Sequence, residues 1–141
     1  MGEKRDLRTL LRIPDEQREE MLRAAVDSYT NGDLAHAETI LVGLIALDDT
    51  DVRSLKLLAS TRLLKGRHRD AEQLYERVLE HDPHDPYTVV ALAEIKLKAL
   101  KLDEAIPLFE QLFAADPNGT HPAANRGREV LKAFHAKMAE E

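Results

Sequence analysis

The sequence has no cysteine and no tryptophan, and only three Tyr and three Phe among 141 residues. Without a thiol there is no disulfide, no thiolate nucleophile and no Cys-ligated metal, and a reducing compartment is permitted. With so few aromatics, packing rests on Leu, Ala, Val and Ile, residues that suit helix–helix contacts. Long apolar runs are missing as well: no stretch approaches the ~18 residues of a membrane span. Met1-Gly2-Glu3-Lys4-Arg5-Asp6 is not followed by the apolar core of a signal peptide. Asp6 stands where N-myristoylation usually needs Ser or Thr. There is no Gly-rich phosphate loop. The formal net charge of −6 has the wrong sign for a phosphate-binding surface. These absences read as a soluble cytoplasmic protein with no membrane insertion and no nucleic-acid partner.

What is present is a repeat. Hydrophobic residues make up 43% and charged residues 33%, too apolar a balance for a disordered chain. Shifted by 34 residues, the sequence falls on itself. Ala37, Ala71 and Ala105 align, followed by Leu41, Tyr75 and Phe109, then Leu44, Val78 and Leu112, then Asp48, Asp82 and Asp116. Upstream, Ala25, Ala59, Ala93 and Gly127 form a column of small residues; Ala24, Leu58 and Leu92 precede them, with Met21, Leu55 and Val89 three places earlier.

Each column has a mechanical reason. Small residues let two helix axes approach to about 8–10 Å. The large residue four places after the second alanine fills the space between successive helix pairs. Gly32 and Gly66 suit the left-handed turn that ends a helix. Asp82-Pro83 and Asp116-Pro117 stop helices, because the residue before Pro is driven from the α region.

Residues 18–119 thereby resemble three tandem tetratricopeptide repeats, a family whose period is 34 residues. Leu55 to Pro83 carries the pattern most fully, with LxxLA, Gly66, Ala71, Tyr75 and Asp82-Pro83. The resemblance implies an all-α solenoid of helix-turn-helix repeats that works by holding another polypeptide. The expected organisation is one domain: an N-terminal helical extension over 1–14, repeats over 15–50, 51–84 and 85–119, and a capping helix over 120–141. Two departures matter. Asp49 replaces the closing Pro of the first repeat. Leu100 replaces the inter-helix Gly of the third, so Leu100 or Lys101 is expected to take a left-handed turn at a cost of about 1–2 kcal/mol. Pro107 is placed about four residues after an expected cap at Asp103.

Beyond the third repeat, Pro122 opens a helix with Ala123, Gly127, Val130, Leu131, Phe134 and Met138 on one stripe. Arg126, Arg128, Glu129, Lys132, His135 and Lys137 back it, as a capping helix requires. In front, Leu7, Leu10 and Leu11 make a short amphipathic segment ended by Ile13-Pro14. That segment either covers the first repeat, makes a homodimer contact through residues 1–14, or occupies the binding groove until a partner displaces it.

Catalytic chemistry has no support. Six His residues lack a base–nucleophile arrangement, and the protein is read as a non-enzyme with no cofactor. His81-Asp82-Pro83-His84-Asp85 is the only metal-like patch, and it coincides with an inter-repeat turn, so no metal is assigned. Arg62, Lys65, Arg67, His68 and Arg69 surround the turn of the second repeat and read as a solvated turn or a docking point for an acidic partner.

Family geometry, by resemblance, turns the first helix of each repeat toward a concave groove. It assigns partner contacts to Leu22, Val26 and Tyr29 in the first repeat. In the second they are Arg53, Lys56, Ser60, Leu63 and Leu64, and in the third Tyr87, Val90, Glu94 and Leu97. Leu22 and Val26 stand where the carboxylate-clamp subfamily keeps Lys and Asn, so capture of a terminal carboxylate is not expected. The aromatic the family often keeps one place earlier is Ser28, Arg62 and Lys96 here, and the bulky residue moves to Tyr29, Leu63 and Leu97. One residue is about 100° of helix, so the shift should rotate apolar surface toward the groove. The expected ligand is an extended or helical segment with a few apolar anchors. Three repeats with a short helix before and a longer one behind also resemble the tetratricopeptide chaperones of bacterial type III secretion, which implies a translocator or needle subunit as client. The stretch Ile40 to Asp48, without a closing Pro, is similar to their first repeat.

Overall fold

The turns between helices repeat as faithfully as the helices. The computed structural model describes residues 12–140, and over these the chain forms seven α-helices and no strand. They are α1 (Asp15–Thr30), α2 (Leu34–Leu47), α3 (Val52–Leu64), α4 (His68–His81), α5 (Pro86–Lys98), α6 (Leu102–Ala114) and α7 (Pro122–Ala139). Leu7, Leu10, Leu11 and almost all of the 1–14 segment lie outside the described residues. Arg12, Ile13 and Pro14 are non-helical and lead directly into α1.

Within each hairpin the first helix ends in one motif. Asp33, Arg67 and Lys101 donate their amides to the carbonyls of Ser28, Arg62 and Lys96 at 2.8–2.9 Å. Gly32, Gly66 and Leu100, each one residue earlier, donate to Tyr29, Leu63 and Leu97 at 2.9–3.1 Å. The central residue of this motif must be left-handed. Gly32 and Gly66 sit at φ 82° and 81°, and Leu100 sits at φ 59°. The expected strained turn is therefore present, and it falls on Leu100.

Between hairpins, aspartates organise the chain. Asp48 accepts from the Thr50 amide at 3.0 Å and hydroxyl at 2.6 Å, and Arg18 donates to its other oxygen at 3.1 Å. A side-chain turn thus replaces the closing Pro that the first repeat lacks. Asp51 and Asp85 precede α3 and α5, and each accepts from the hydroxyl three residues on, Ser54 at 2.8 Å and Thr88 at 2.6 Å. Those hydroxyls are buried, so the bond satisfies groups that would otherwise be costly. The cap of α6 differs from the expectation: it is Lys101, and Asp103 lies inside the first turn. Pro107 therefore sits six residues after the cap, in the second turn, on an exposed face.

The chain divides into two compact units, one ending at Leu74 and one beginning at Tyr75, a division inside α4. In the first, α2 packs on both α1 and α3. Ala25, Ala37, Leu41, Leu55 and Ala59 are fully enclosed there, as the repeat columns require. In the second, α5 lies on α6 and α7 covers both. Val89, Val90, Leu112, Ala123 and Ala124 form one cluster, and Ala93, Leu97, Ala105, Phe109 and Val130 another. Gly127 belongs to this contact: a Cβ there would meet Leu112 Cδ2 at 2.7 Å and Phe113 Cε1 at 3.2 Å. Arg128 closes the joint between α6 and α7. It donates to the Asp116 carboxylate at 3.1 Å and lies 5.0 Å from the Phe113 ring centre.

Candidate partner-binding site

In the first unit the uncharged residues assigned to partner contact fall into three groups. Leu22 is buried against the core. Tyr29 and Ser60 are half-buried and hydrogen-bonded to each other through their hydroxyls at 2.6 Å. Val26 and Leu64 are exposed, at 43% and 61%, and Leu63 is half-buried beside Leu64. Arg53 and Glu19, 34 residues apart, are joined by two hydrogen bonds between α1 and α3. The Arg53 guanidinium holds the Glu19 carboxyl below its ordinary pKa. Lys56 is half-buried on the same helix.

In the second unit Tyr87 is the exposed aromatic, at 54%, tilted against the His121 ring at 5.4 Å. Val90 and Leu97 are buried in the two clusters beneath α7, where Val90 serves packing and Leu97 also reaches an open cleft. Glu94 is half-buried, receiving Lys98 at 3.2 Å and Arg126 at 2.8 Å.

The missing family aromatic finds its explanation here. Arg62 and Lys96, which replace it, bury their stems and meet acids of the second helix. Arg62 reaches Glu38 at 2.9 Å and Asp70 at 3.6 Å; Lys96 reaches Glu76 at 3.0 Å and Glu104 at 2.9 Å. Burial pushes the Glu38 carboxyl up, but hydrogen bonds from Lys65 and Arg62 outweigh it and hold it below the usual range. A cation–carboxylate pair has taken the aromatic's place between helices. The basic turn is accordingly committed in part to Glu38, which Lys65 also reaches at 3.2 Å. Among the described residues no three His, Asp or Glu side chains converge as metal ligands would.

One feature brings two of the assigned residues, Glu94 and Leu97, together with residues of α7 that the repeat pattern did not assign. A cleft of about 790 Å³ opens between α5 and α7, floored by Leu97, Val130 and Phe134, with Leu100 and Met138 at its mouth. Lys98, Arg126 and Lys137 line its rim with Glu94 and Glu129. An apolar floor inside a charged rim suits an apolar group held between charged ones, and the volume leaves room for its chain neighbours. The available signal was length: α7 has 18 residues against 13 in α5 and in α6. At 1.5 Å per residue its apolar stripe outruns the helices it covers by about 7 Å.

Paired helices in a 34-residue period, closed by identical turns, define the tetratricopeptide-repeat fold, a scaffold for binding protein. Residues 62–128 match the family model for the tetratricopeptide repeat. Over 89% of this chain the fold matches PcrH of Pseudomonas aeruginosa, in complex with the chaperone binding region of PopD, at TM-score 0.76 and 26% identity, covering 96% of that chain. It matches the Yersinia enterocolitica type III secretion translocator chaperone SycD at TM-score 0.77 and 24% identity, covering 92% of this chain and 91% of that one. The Sgt2 repeat domain of Aspergillus fumigatus aligns at TM-score 0.74 with 16% identity over 91% of this chain and 85% of its own, a likeness of fold alone. No curated protein matches the sequence. Among the described residues no helix is long and apolar enough to cross a membrane.

Proposed function

We propose that this protein is a chaperone that binds an apolar-anchored segment of a type III secretion translocator and keeps it soluble in the cytoplasm before export. The observation that carries this reading is the near end-to-end match to PcrH, at 26% identity and 89% and 96% coverage, in a structure where that protein holds a segment of PopD. A crystal structure of SycD with a peptide of the translocator YopD supports the same kind of ligand. Within this chain the accessible members of the assigned set are Val26, Arg53, Leu64 and Tyr87, which offer apolar anchors flanked by charge. Leu22 in the first unit, and Val90 and Leu97 in the second, are buried. A general adaptor for a folded partner is the competing role, and solubilisation separates the two.

The test is co-expression with a translocator encoded in the same genome. The chain should bring that protein into the soluble fraction and co-elute with it. The pair Leu64→Glu and Tyr87→Glu, both at exposed positions, should weaken capture at least tenfold with unchanged helical circular dichroism. A translocator that stays insoluble beside the wild-type chain rejects the chaperone role.

A further inference from the structure

We propose that the α5–α7 cleft is a specificity pocket for one large apolar side chain of the partner flanked by carboxylates, and that Leu100 is retained as its wall. This rests on the reading of the protein as a binder of translocator segments, and adds the chemistry of one anchor.

The argument starts from a double cost. Leu100 occupies a left-handed turn where Gly32 and Gly66 stand in the other two hairpins. A branched side chain there is strained by the close approach of its Cβ to the backbone carbonyl. Burial could offset that strain, but Leu100 is 63% exposed. Neither backbone nor core gains from leucine at this position. A strained residue without a structural return points to function, and Leu100 stands at the mouth of a cleft of about 790 Å³.

The opposite lip repeats the pattern. Met138 is 43% exposed at the far end of α7, with Phe134 half-buried beside it in the cleft. Flexible Met and branched Leu, both exposed in the lining of an apolar-floored cleft, suit a side chain that inserts from outside.

The rim sets the charge of the guest. Glu94 is already met by both Lys98 and Arg126. The lining holds three cations against two carboxylates, and Lys137 has no ion-pair partner among the described residues. Within a protein of net charge −6 this is a locally positive rim around an apolar floor. An apolar anchor with neighbouring Asp or Glu is the complement; a basic segment is disfavoured.

The probes are 12-residue peptides titrated into the ¹⁵N-labelled full chain and followed by amide shifts. One carries a central Leu flanked by two Asp on each side, a second has Ala for Leu, and a third has Lys for Asp. The first should shift amides of α5 and α7; the second and third should each bind at least fivefold more weakly. Leu100→Gly and Leu100→Asn both accept the left-handed turn and remove the apolar wall. Each should raise the melting temperature by about 2–4 °C while weakening the first peptide several-fold. Lys137→Glu should reverse the preference between the acidic and basic peptides.

Equal binding of the three peptides, or Leu100 variants that bind as the wild type does, overturns the pocket. Concentration-dependent self-association of the wild type, lost in Leu100→Asn, also overturns it by assigning the cleft to a second copy. Undiminished translocator capture by Leu100→Asn rejects this inference alone. Peptide selectivity in a chain that captures no translocator rejects the chaperone role instead.

Discussion

At the scale of single residues, the repeat exchanges side chains freely so long as one atomic requirement is met. Leu100 meets the left-handed requirement at a cost. Leu100→Gly should therefore stabilise the protein, although Gly also gains about 0.4–1 kcal/mol of unfolded-chain entropy that opposes the benefit. The net expectation is a gain of about 0.5–1 kcal/mol in urea unfolding at unchanged m-value; a loss would mean that Leu100 packs more than its exposure shows. Asp116 meets a different requirement. Its carboxylate accepts from the amides of His121 and Thr120, the Thr120 hydroxyl and Arg128, each at 2.8–3.1 Å. The His121 amide contributes most, burial opposes, and the pKa lies far below the ordinary carboxylate value. A folded pKa below the unfolded one adds stability that is fully present above the unfolded value, about 3.9. That stability is lost as pH falls below about 4. The urea midpoint should fall through this window, and Asp116→Asn should be less stable at pH 7 with a shallower acid limb. An identical acid limb in the variant would exclude Asp116 as a contributor.

At the scale of elements, two helices come together where one position has no side chain. Gly127 continues the column of Ala25, Ala59 and Ala93 into α7, yet even a methyl group would clash with Leu112. Helix propensity favours Ala over Gly by about 1 kcal/mol, whereas overpacking costs about 1–3 kcal/mol. Close approach wins for any larger residue. Gly127→Val should destabilise by about 2 kcal/mol in thermal or urea unfolding, and a neutral result would show that the Leu112 side chain can retreat. The same element explains the cleft. The part of α7 that covers Val90 and Leu97 is spent on packing, while its last turns leave Phe134 and Met138 beside open space.

At the scale of the whole molecule, apolar anchors dominate the proposed recognition and charge selects among guests. Salt at 1 M shortens the screening length to about 3 Å and leaves hydrophobic contacts in place. A complex with a translocator should survive gel filtration in 1 M NaCl, with the acidic preference reduced; dissociation there would make the interaction chiefly electrostatic. The fold was legible at this scale because repetition multiplies weak signals. Ala37, Ala71 and Ala105 say little singly, and all three are fully buried. Even the left-handed turn at Leu100 or Lys101 followed from the 34-residue register, since the turn's geometry is local and copies from hairpin to hairpin, and the structure places it on Leu100. The surface was less legible. Resemblance places Val90 and Leu97 on one face by position number; α7 packs on both, and of the two Leu97 alone also borders the cleft. Whether a helical position is open depends on what packs above it, and neither periodicity nor propensity encodes that. The sequence by itself determined the helices, their turns and their enclosed columns, because hydrogen-bond geometry and side-chain size act over a few residues. Only the tertiary structure decided which apolar residues stay free for a partner, because exposure at Leu64, Tyr87, Leu100 and Met138 is a property of neighbours far away in the chain.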